Sequence, residues 1–362
     1  MSYYILPKNI NVVNVNPVVS LDKCKPYLSH SFLNYYLDIK KQIIEMFTFD
    51  GDLSDNTFDD AIRIINPYEF IFSKVPGSKF SVSKLKPNTN LFYDLFEIIN
   101  NLIFFDNLKT SPIKSLHVSP NYNDSIDCFE MFREGFHDDI IQLDCINIDN
   151  DLPENSFDYI FYDTNALNEK EYFISVVKFI ITILKNQKHE GNSIIKLKDT
   201  LHKPVIDCIY LLTSFYDKVY IAKPNTNNIT SLDRYIVCKS FQYNESSRSY
   251  LKLNIIKLII LLKKLEDKNI VDILGSDIPY YFKNKIDELN IIIGQQQIEA
   301  LDQIIAIFKN KNKNDKIESI KKSNIQKSVS WCEKYKIPCN KFTEKINIFL
   351  PIINETIINE TI

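Results

Sequence analysis

The chain has 362 residues, 45% of them hydrophobic and 25% charged, with 43 Lys and Arg against 46 Asp and Glu. That length buries a full core, and the balance is that of a globular protein with one large domain and a smaller appendage. The net charge of −3 excludes a global positive field, so a polyanion must meet a local basic patch, and six glycines leave little backbone to wrap a nucleotide.

Met1-Ser-Tyr-Tyr-Ile lacks the basic-then-apolar pattern of a secretory signal. Residues 1–30, with Pro7, Pro17 and Pro26, read as an extended arm, and Ser31 to Phe47 carries apolar residues at helical spacing. Residues 48–60 read as an acidic loop that leads into a short helix. A basic, hydroxyl-rich segment follows from Ser73 to Pro87. In it Lys74, Lys79, Lys84 and Lys86 are interleaved with Phe80 and serines, as in a solvated loop or a grip on a phosphate backbone. Leu91 to Phe105 predicts a helix.

From 113 to 240 strands and helices alternate. Strands are predicted at 115–118, 140–144, 157–163, 193–197, 218–223 and 234–239. Helices are predicted at 125–132, 170–184 and 205–215. Apolar strands separated by helices of this length predict an α/β sheet covered on both faces. The last two strands are close enough in sequence to pair antiparallel at one edge. After 245 the pattern is helical, over 251–265, 278–292, 296–308 and 315–335, an all-helical C-terminal extension. The Lys309–Lys316 run reads as a connection between helices, and 352–362 is a small tandem duplication. The chain divides into an arm with helices (1–84), the α/β domain (85–243), a helical module (244–345) and a tail (346–362).

Seven dispersed cysteines without a CxxC pair read as reduced core residues, neither a disulfide frame nor a metal site. The longest apolar run, 253–262, contains Asn254 and Lys257 and is too short to span a bilayer. The expectation is an intracellular, soluble protein with no membrane contact and no metal. His117, near a strand end, reads as a core or edge histidine, since no nucleophile constellation accompanies it.

Ligands of open α/β sheets bind beyond the carboxyl ends of the strands. Asp144, Asp163 and Lys196 fall there, with Asp233 on the opposing edge. Four segments resemble the FtsJ-like RNA 2′-O-ribose methyltransferase family over roughly residues 85–240. They are Phe157-Asp-Tyr-Ile-Phe-Tyr-Asp163-Thr-Asn165, Gly191-Asn-Ser-Ile-Ile-Lys196, Val219-Tyr-Ile-Ala-Lys-Pro224 and Ser231-Leu-Asp233-Arg-Tyr235-Ile-Val. The version found in large nucleocytoplasmic DNA viruses is the most similar, and the tail around Gln295 and Trp331 resembles the same subgroup.

The resemblance implies a Rossmann-like methyltransferase sheet and methyl transfer from S-adenosylmethionine to a ribose 2′-hydroxyl through a Lys-Asp-Lys-Glu tetrad. In it Lys196 takes the position of the general base, Asp163 that of the aspartate, and Asp233, one methylene shorter, that of the glutamate. Ser119 and Pro120 fall on the cofactor loop, and Asp144 where the family places an acid near the adenine ring. Two departures stand out. Asp94-Leu-Phe-Glu97-Ile98 puts an aspartate at the first lysine's position, where it would raise the pKa of Lys196. Leu116-His-Val-Ser-Pro120-Asn-Tyr122-Asn-Asp-Ser125 keeps only the proline of a glycine-rich turn, and Tyr122 would lay a ring where methionine and ribose belong. Two functions follow as expectations. One is an RNA methyltransferase, acting on the ribose of capped mRNA, located in host cytoplasm or virion if viral. The other is a catalytically inactive scaffold of that fold, which binds RNA or stimulates a capping or transcription partner.

Overall fold

The structure, a computed structural model, describes residues 1–340 except 12, 50–56, 109, 146–151, 165, 243–244 and 310–313. Most of the acidic loop, residues 310–313 of the Lys309–Lys316 run and the whole C-terminal tail lie outside the described residues. In chain order, β1 (Ser2–Ile5) and β2 (Val18–Ser20) precede α1 (His30–Phe49), α2 (Thr57–Ile65) and α3 (Leu91–Asn101). The sheet unit then runs β3 (Lys114–Val118), α4 (Tyr122–Phe132), β4 (Asp139–Leu143), β5 (Phe157–Tyr162), α5 (Glu169–Asn186) and β6 (Gln187–Leu197). It continues with α6 (Lys203–Phe215), β7 (Tyr216–Lys223) and β8 (Arg234–Phe241). Helix α7 (Glu245–Lys263), β9 (Asn269–Asp272), α8 (Tyr280–Lys309) and α9 (Asn314–Lys334) follow.

Seven strands form one sheet in the order β1-β7-β8-β6-β5-β3-β4. Strands β4, β3, β5 and β6 are parallel, and β8 runs antiparallel between β6 and β7. This is the Rossmann-like α/β sheet expected from the sequence. Buried parallel strands need apolar side chains on both faces, and all six residues of β5 are buried. The helix α5 starts where Asn168 accepts a hydrogen bond from the Glu171 N–H, with Glu169 and Glu171 in its first turn and Lys185 in its last.

The chain steps from β3 to β4 on one side, then crosses to β5 on the other. The strand order therefore reverses between β3 and β5, which is where an open α/β sheet leaves a crevice. One sheet face is covered by α5 and α6, joined by α7 and the first half of α8; α3, α4 and α9 cover the other.

Four features differ from expectation. The pair β7 and β8 is antiparallel, yet neither strand is the sheet edge, because β1 from the N-terminal arm pairs with β7. The arm's β2 pairs with β9, the one strand described after residue 245. The helix expected over 91–105 stops at Asn101, since Ile103 adopts φ 46° and the Phe104 N–H returns to the Ile99 carbonyl at 3.0 Å. The two helices expected over 278–308 are a single helix, α8. Gly294 at its middle lies against the Phe32 ring of α1, which a Cβ would meet at 2.6 Å. The glycine serves close packing there and does not break the helix. No helix among the described residues is long and apolar enough to cross a membrane.

Candidate active site

The sequence Ile194-Ile195-Lys196 brings β6 to its carboxyl end. Side chains alternate faces along a strand, so Lys196 shares the face of Ile194, the one that α3 covers. Across the antiparallel pair, Tyr235 of β8 stands opposite Lys196. Next to β6, β5 ends at Tyr162 and delivers Asp163. Its N–H donates to the Val118 carbonyl at 2.9 Å, and its Oδ1 accepts from the Thr164 N–H at 2.7 Å. The second oxygen, Oδ2, lies 3.4 Å from Lys196 Nζ.

Asp94 enters from α3. It is fully buried and accepts from Thr226 Oγ1 at 2.6 Å, Asn227 Nδ2 at 2.7 Å and Tyr235 Oη at 2.8 Å. One turn later, Glu97 accepts from the Asn225 N–H at 2.8 Å. Two carboxylates of one helix thus hold the loop between β7 and β8.

On the other side of that loop Lys223 ends β7. Its ammonium donates to Asn227 Oδ1 at 2.5 Å, to the Ser231 carbonyl at 2.8 Å and to the Asp233 carbonyl at 3.2 Å. Arg234 donates to the carbonyls of Leu232 and Asp233. The half-buried Asp233 is therefore carried on a loop whose backbone is held by two cations.

Electrostatics divides the two lysines. Burial works to lower Lys196, but Asp163, Asp233 and Asp94 outweigh it and hold the ammonium above the ordinary lysine value. Burial raises Asp163 against the pull of Lys196. Burial, with Arg234 nearby, lowers Lys223 to about 7. Asp94 is raised by burial, while Thr226 and Asn227 pull the other way. The acidic neighbour expected from the sequence therefore does act on Lys196, and in the expected direction.

At the switch point a cavity of about 360 Å³ is bounded by Pro120, Asp144, Tyr162, Asp163 and Thr164, with Glu171, Ile174 and Lys178 of α5 opposite. Of the residues expected on the cofactor side, Pro120 and Asp144 are walls. Ser119 is buried in the turn below; its N–H donates to the Leu143 carbonyl and its Oγ accepts from the Asn121 N–H, each at 3.0 Å. Tyr122 is half-buried as the first residue of α4 and is not a wall of the cavity. Asn121 takes φ −116°, and no residue of this turn has positive φ, so the turn closes without glycine. Three carboxylates (Asp144, Asp163 and Glu171), the Lys178 ammonium, hydroxyls and apolar walls in one crevice suit a ligand with hydroxyl or amino donors and a ring, which S-adenosylmethionine offers.

His117 is a core residue. It is fully buried, its Nδ1 lies 2.9 Å from Ser125 Oγ, and desolvation lowers its pKa to about 3. Among the described residues no group of three or more His, Cys, Asp or Glu side chains could hold a metal ion. The sequence did carry a sign of Lys223, for Val219-Tyr-Ile-Ala-Lys223 repeats the lysine-ending apolar strand of Lys196. Its acceptors are largely main-chain carbonyls, which no side-chain pattern reveals.

No family model matches the chain. It is 28% identical over 131 residues to cap-specific mRNA (nucleoside-2′-O-)-methyltransferase 1A of Caenorhabditis briggsae, covering 35% of this chain and 15% of that protein. It is 29% identical over 126 residues to cap-specific mRNA (nucleoside-2′-O-)-methyltransferase 1 of Dictyostelium discoideum, covering 33% and 16%. The chain therefore spans less than a fifth of the length of these curated relatives. A crystal structure described as a ribosomal RNA methyltransferase from Plasmodium falciparum aligns with TM-score 0.34 and 12% identity, over 43% of this chain and 99% of that one. One described as a spermidine synthase from Corynebacterium glutamicum aligns with TM-score 0.29 and 14% identity, over 58% and 83%. About a third of the chain is thus similar in sequence to RNA ribose methyltransferases.

Proposed function

We propose that the chain is an RNA 2′-O-methyltransferase that uses S-adenosylmethionine and acts on a ribose of capped mRNA. The observation that carries this reading is the Lys196–Asp163 pair at 3.4 Å, at the edge of a crevice that also holds Asp144 and Pro120. The sequence similarity to cap-specific methyltransferases supports the substrate class.

S-adenosylmethionine, when bound, supplies an electrophilic methyl group, and Pro120, Asp144 and Thr164 would hold it. Lys196 meets the ribose 2′-hydroxyl. As an ammonium it orients the oxygen and stabilises the negative charge that grows there. To accept the hydroxyl proton it must first shed its own, and Asp163, Asp233 and Asp94 oppose that loss. The reading therefore implies a reaction that speeds up as pH rises. Lys223, with all three N–H groups engaged, positions the Asp233 loop and meets no substrate.

A second reading is favoured by Asp94. An acid beside the base, together with a turn that lacks glycine, suits a scaffold of this fold that binds RNA or stimulates a capping partner without transferring methyl groups itself. Isothermal titration with S-adenosylmethionine separates the two. Micromolar binding that weakens on Asp144→Ala supports the enzyme. No heat from the folded full chain moves the reading to the scaffold.

A further inference from the structure

The segment read as a solvated loop or a phosphate grip is neither loose nor dispersed. Lys74, Lys79, Lys84 and Lys86 converge on one hollow of about 420 Å³, together with Phe80 and Ser81. Its base is built across the chain. The Lys84 N–H donates to the Pro338 carbonyl at 2.8 Å and the Asn340 N–H to the Val82 carbonyl at 2.8 Å, so the stretch after α9 backs the segment. Val82, fully buried, shares a core with Trp331 and Ile337. On the other rim the Val75 N–H donates to the Phe80 carbonyl at 3.0 Å, closing a turn through Gly77 at φ +77° and fixing Lys74 and Lys79 on either side of it.

Four exposed ammonium groups on a rigid frame repel one another, and among the described residues no carboxylate pairs with any of them. The acid that follows them in the fold, Asp124, is already engaged by the Asn88 N–H at 2.8 Å and the Thr89 hydroxyl at 2.5 Å. In a chain of net charge −3 this is a local positive patch of the kind a polyanion requires. Phe80, 58% exposed among the lysines, presents an apolar ring to solvent where a ring could stack.

We propose that this hollow binds single-stranded RNA, its lysines holding successive phosphates and Phe80 stacking on a base. The inference rests on the RNA part of the function above and is independent of catalysis. The hollow is joined in sequence to the candidate active site, since Lys86 is followed at once by the loop tied to Asp124 and then by α3 with Asp94.

The test is fluorescence anisotropy of the full chain with a 5′-labelled single-stranded RNA of about a dozen nucleotides, across a salt series. Lys79→Glu/Lys84→Glu is expected to weaken binding at least about tenfold and to reduce the salt slope by about two. Phe80→Ala is expected to weaken binding about tenfold without changing the slope. Lys79→Gln/Lys84→Gln, which adds no negative charge, should follow the first variant in part. Unchanged affinity and slope in the charge-reversed variant, with an unchanged melting curve, would overturn the proposal. So would polyglutamate competing with the RNA at equal charge concentration, which would assign the hollow to an acidic protein surface. S-adenosylmethionine titration of the same variants reads the cavity beside Asp163 separately, so failure of one claim is distinct from failure of the other.

Discussion

Tyr235 donates to Asp94 Oδ2 at 2.8 Å, and Tyr235 is the β8 residue directly opposite Lys196. This hydrogen bond fixes a buried carboxylate beside the lysine that the methyltransferase reading assigns to proton transfer. Asp94 is one of three acids that hold Lys196 above the ordinary lysine value. Asp94→Asn removes one of those charges and keeps acceptor capacity for Thr226. It is expected to lower the Lys196 pKa, since one of the charges that hold it up is gone. The pH profile of methyl transfer should move toward neutrality. A profile identical to wild type would separate Asp94 from the titration of Lys196.

Lys223 carries a different expectation. Burial lowers its pKa to about 7, against 10.5 for an ordinary lysine. Between those values the unfolded chain binds more protons than the folded one, so this group makes stability rise with pH across the window. Lys223→Met lacks that contribution and leaves the Ser231 and Asp233 carbonyls without their donor. Urea unfolding should show the variant destabilised by about 2–4 kcal/mol near neutral pH. The gap should widen from about pH 7 to about pH 9. A gap constant with pH would mean that Lys223 stays charged throughout.

His202 and Asp199 work with the opposite sign. The ring Nδ1 lies 3.0 Å from Asp199 Oδ1. Burial disfavours the charged imidazole, yet Asp199 outweighs it and raises the His202 pKa above 6.5. The stabilisation is therefore full below the unfolded value and is lost as pH rises through the raised folded one. Melting curves of wild type and His202→Gln should lie furthest apart on the acid side of neutrality and converge above it. Divergence at alkaline pH would contradict the assignment.

Gly294 sets two opposing effects against each other. Alanine at an open helix position gains roughly 1 kcal/mol over glycine. Here the new Cβ would stand 2.6, 2.8 and 2.9 Å from three atoms of the Phe32 ring. Gly294→Ala is expected to destabilise by about 1–3 kcal/mol, as overpacking does. Combined with Phe32→Ala, it should become neutral or stabilising relative to Phe32→Ala alone. Stabilisation by the single change would show that the contact between α1 and α8 is slack.

Much of this was legible because burial writes itself into local pattern. The apolar strand β5, interrupted only by Asp158, and the strand endings that place Asp163 and Lys196, can be read from residue order. The edge role of β1 could not, since four residues with alternate exposure carry too little periodicity. The unity of α8 was hidden by a glycine whose reason lies on another helix. The basic hollow was readable as charge but not as a site, because its frame depends on residues 338–340 pairing with 82–84. Asp94 was readable as a departure from the family pattern; its hydrogen bonds to Thr226, Asn227 and Tyr235 required the fold.

The central claim is that Lys196, beside Asp163, serves methyl transfer to a ribose hydroxyl. The direct measurement is incorporation of labelled methyl from S-adenosylmethionine into capped RNA by the full chain and by Lys196→Ala, followed by nuclease digestion to locate the label. The expected result is a 2′-O-methylated ribose with wild type, rising in rate with pH, and none with Lys196→Ala, while S-adenosylmethionine affinity is retained. No incorporation by wild type at any pH, or equal incorporation by both proteins, would contradict it.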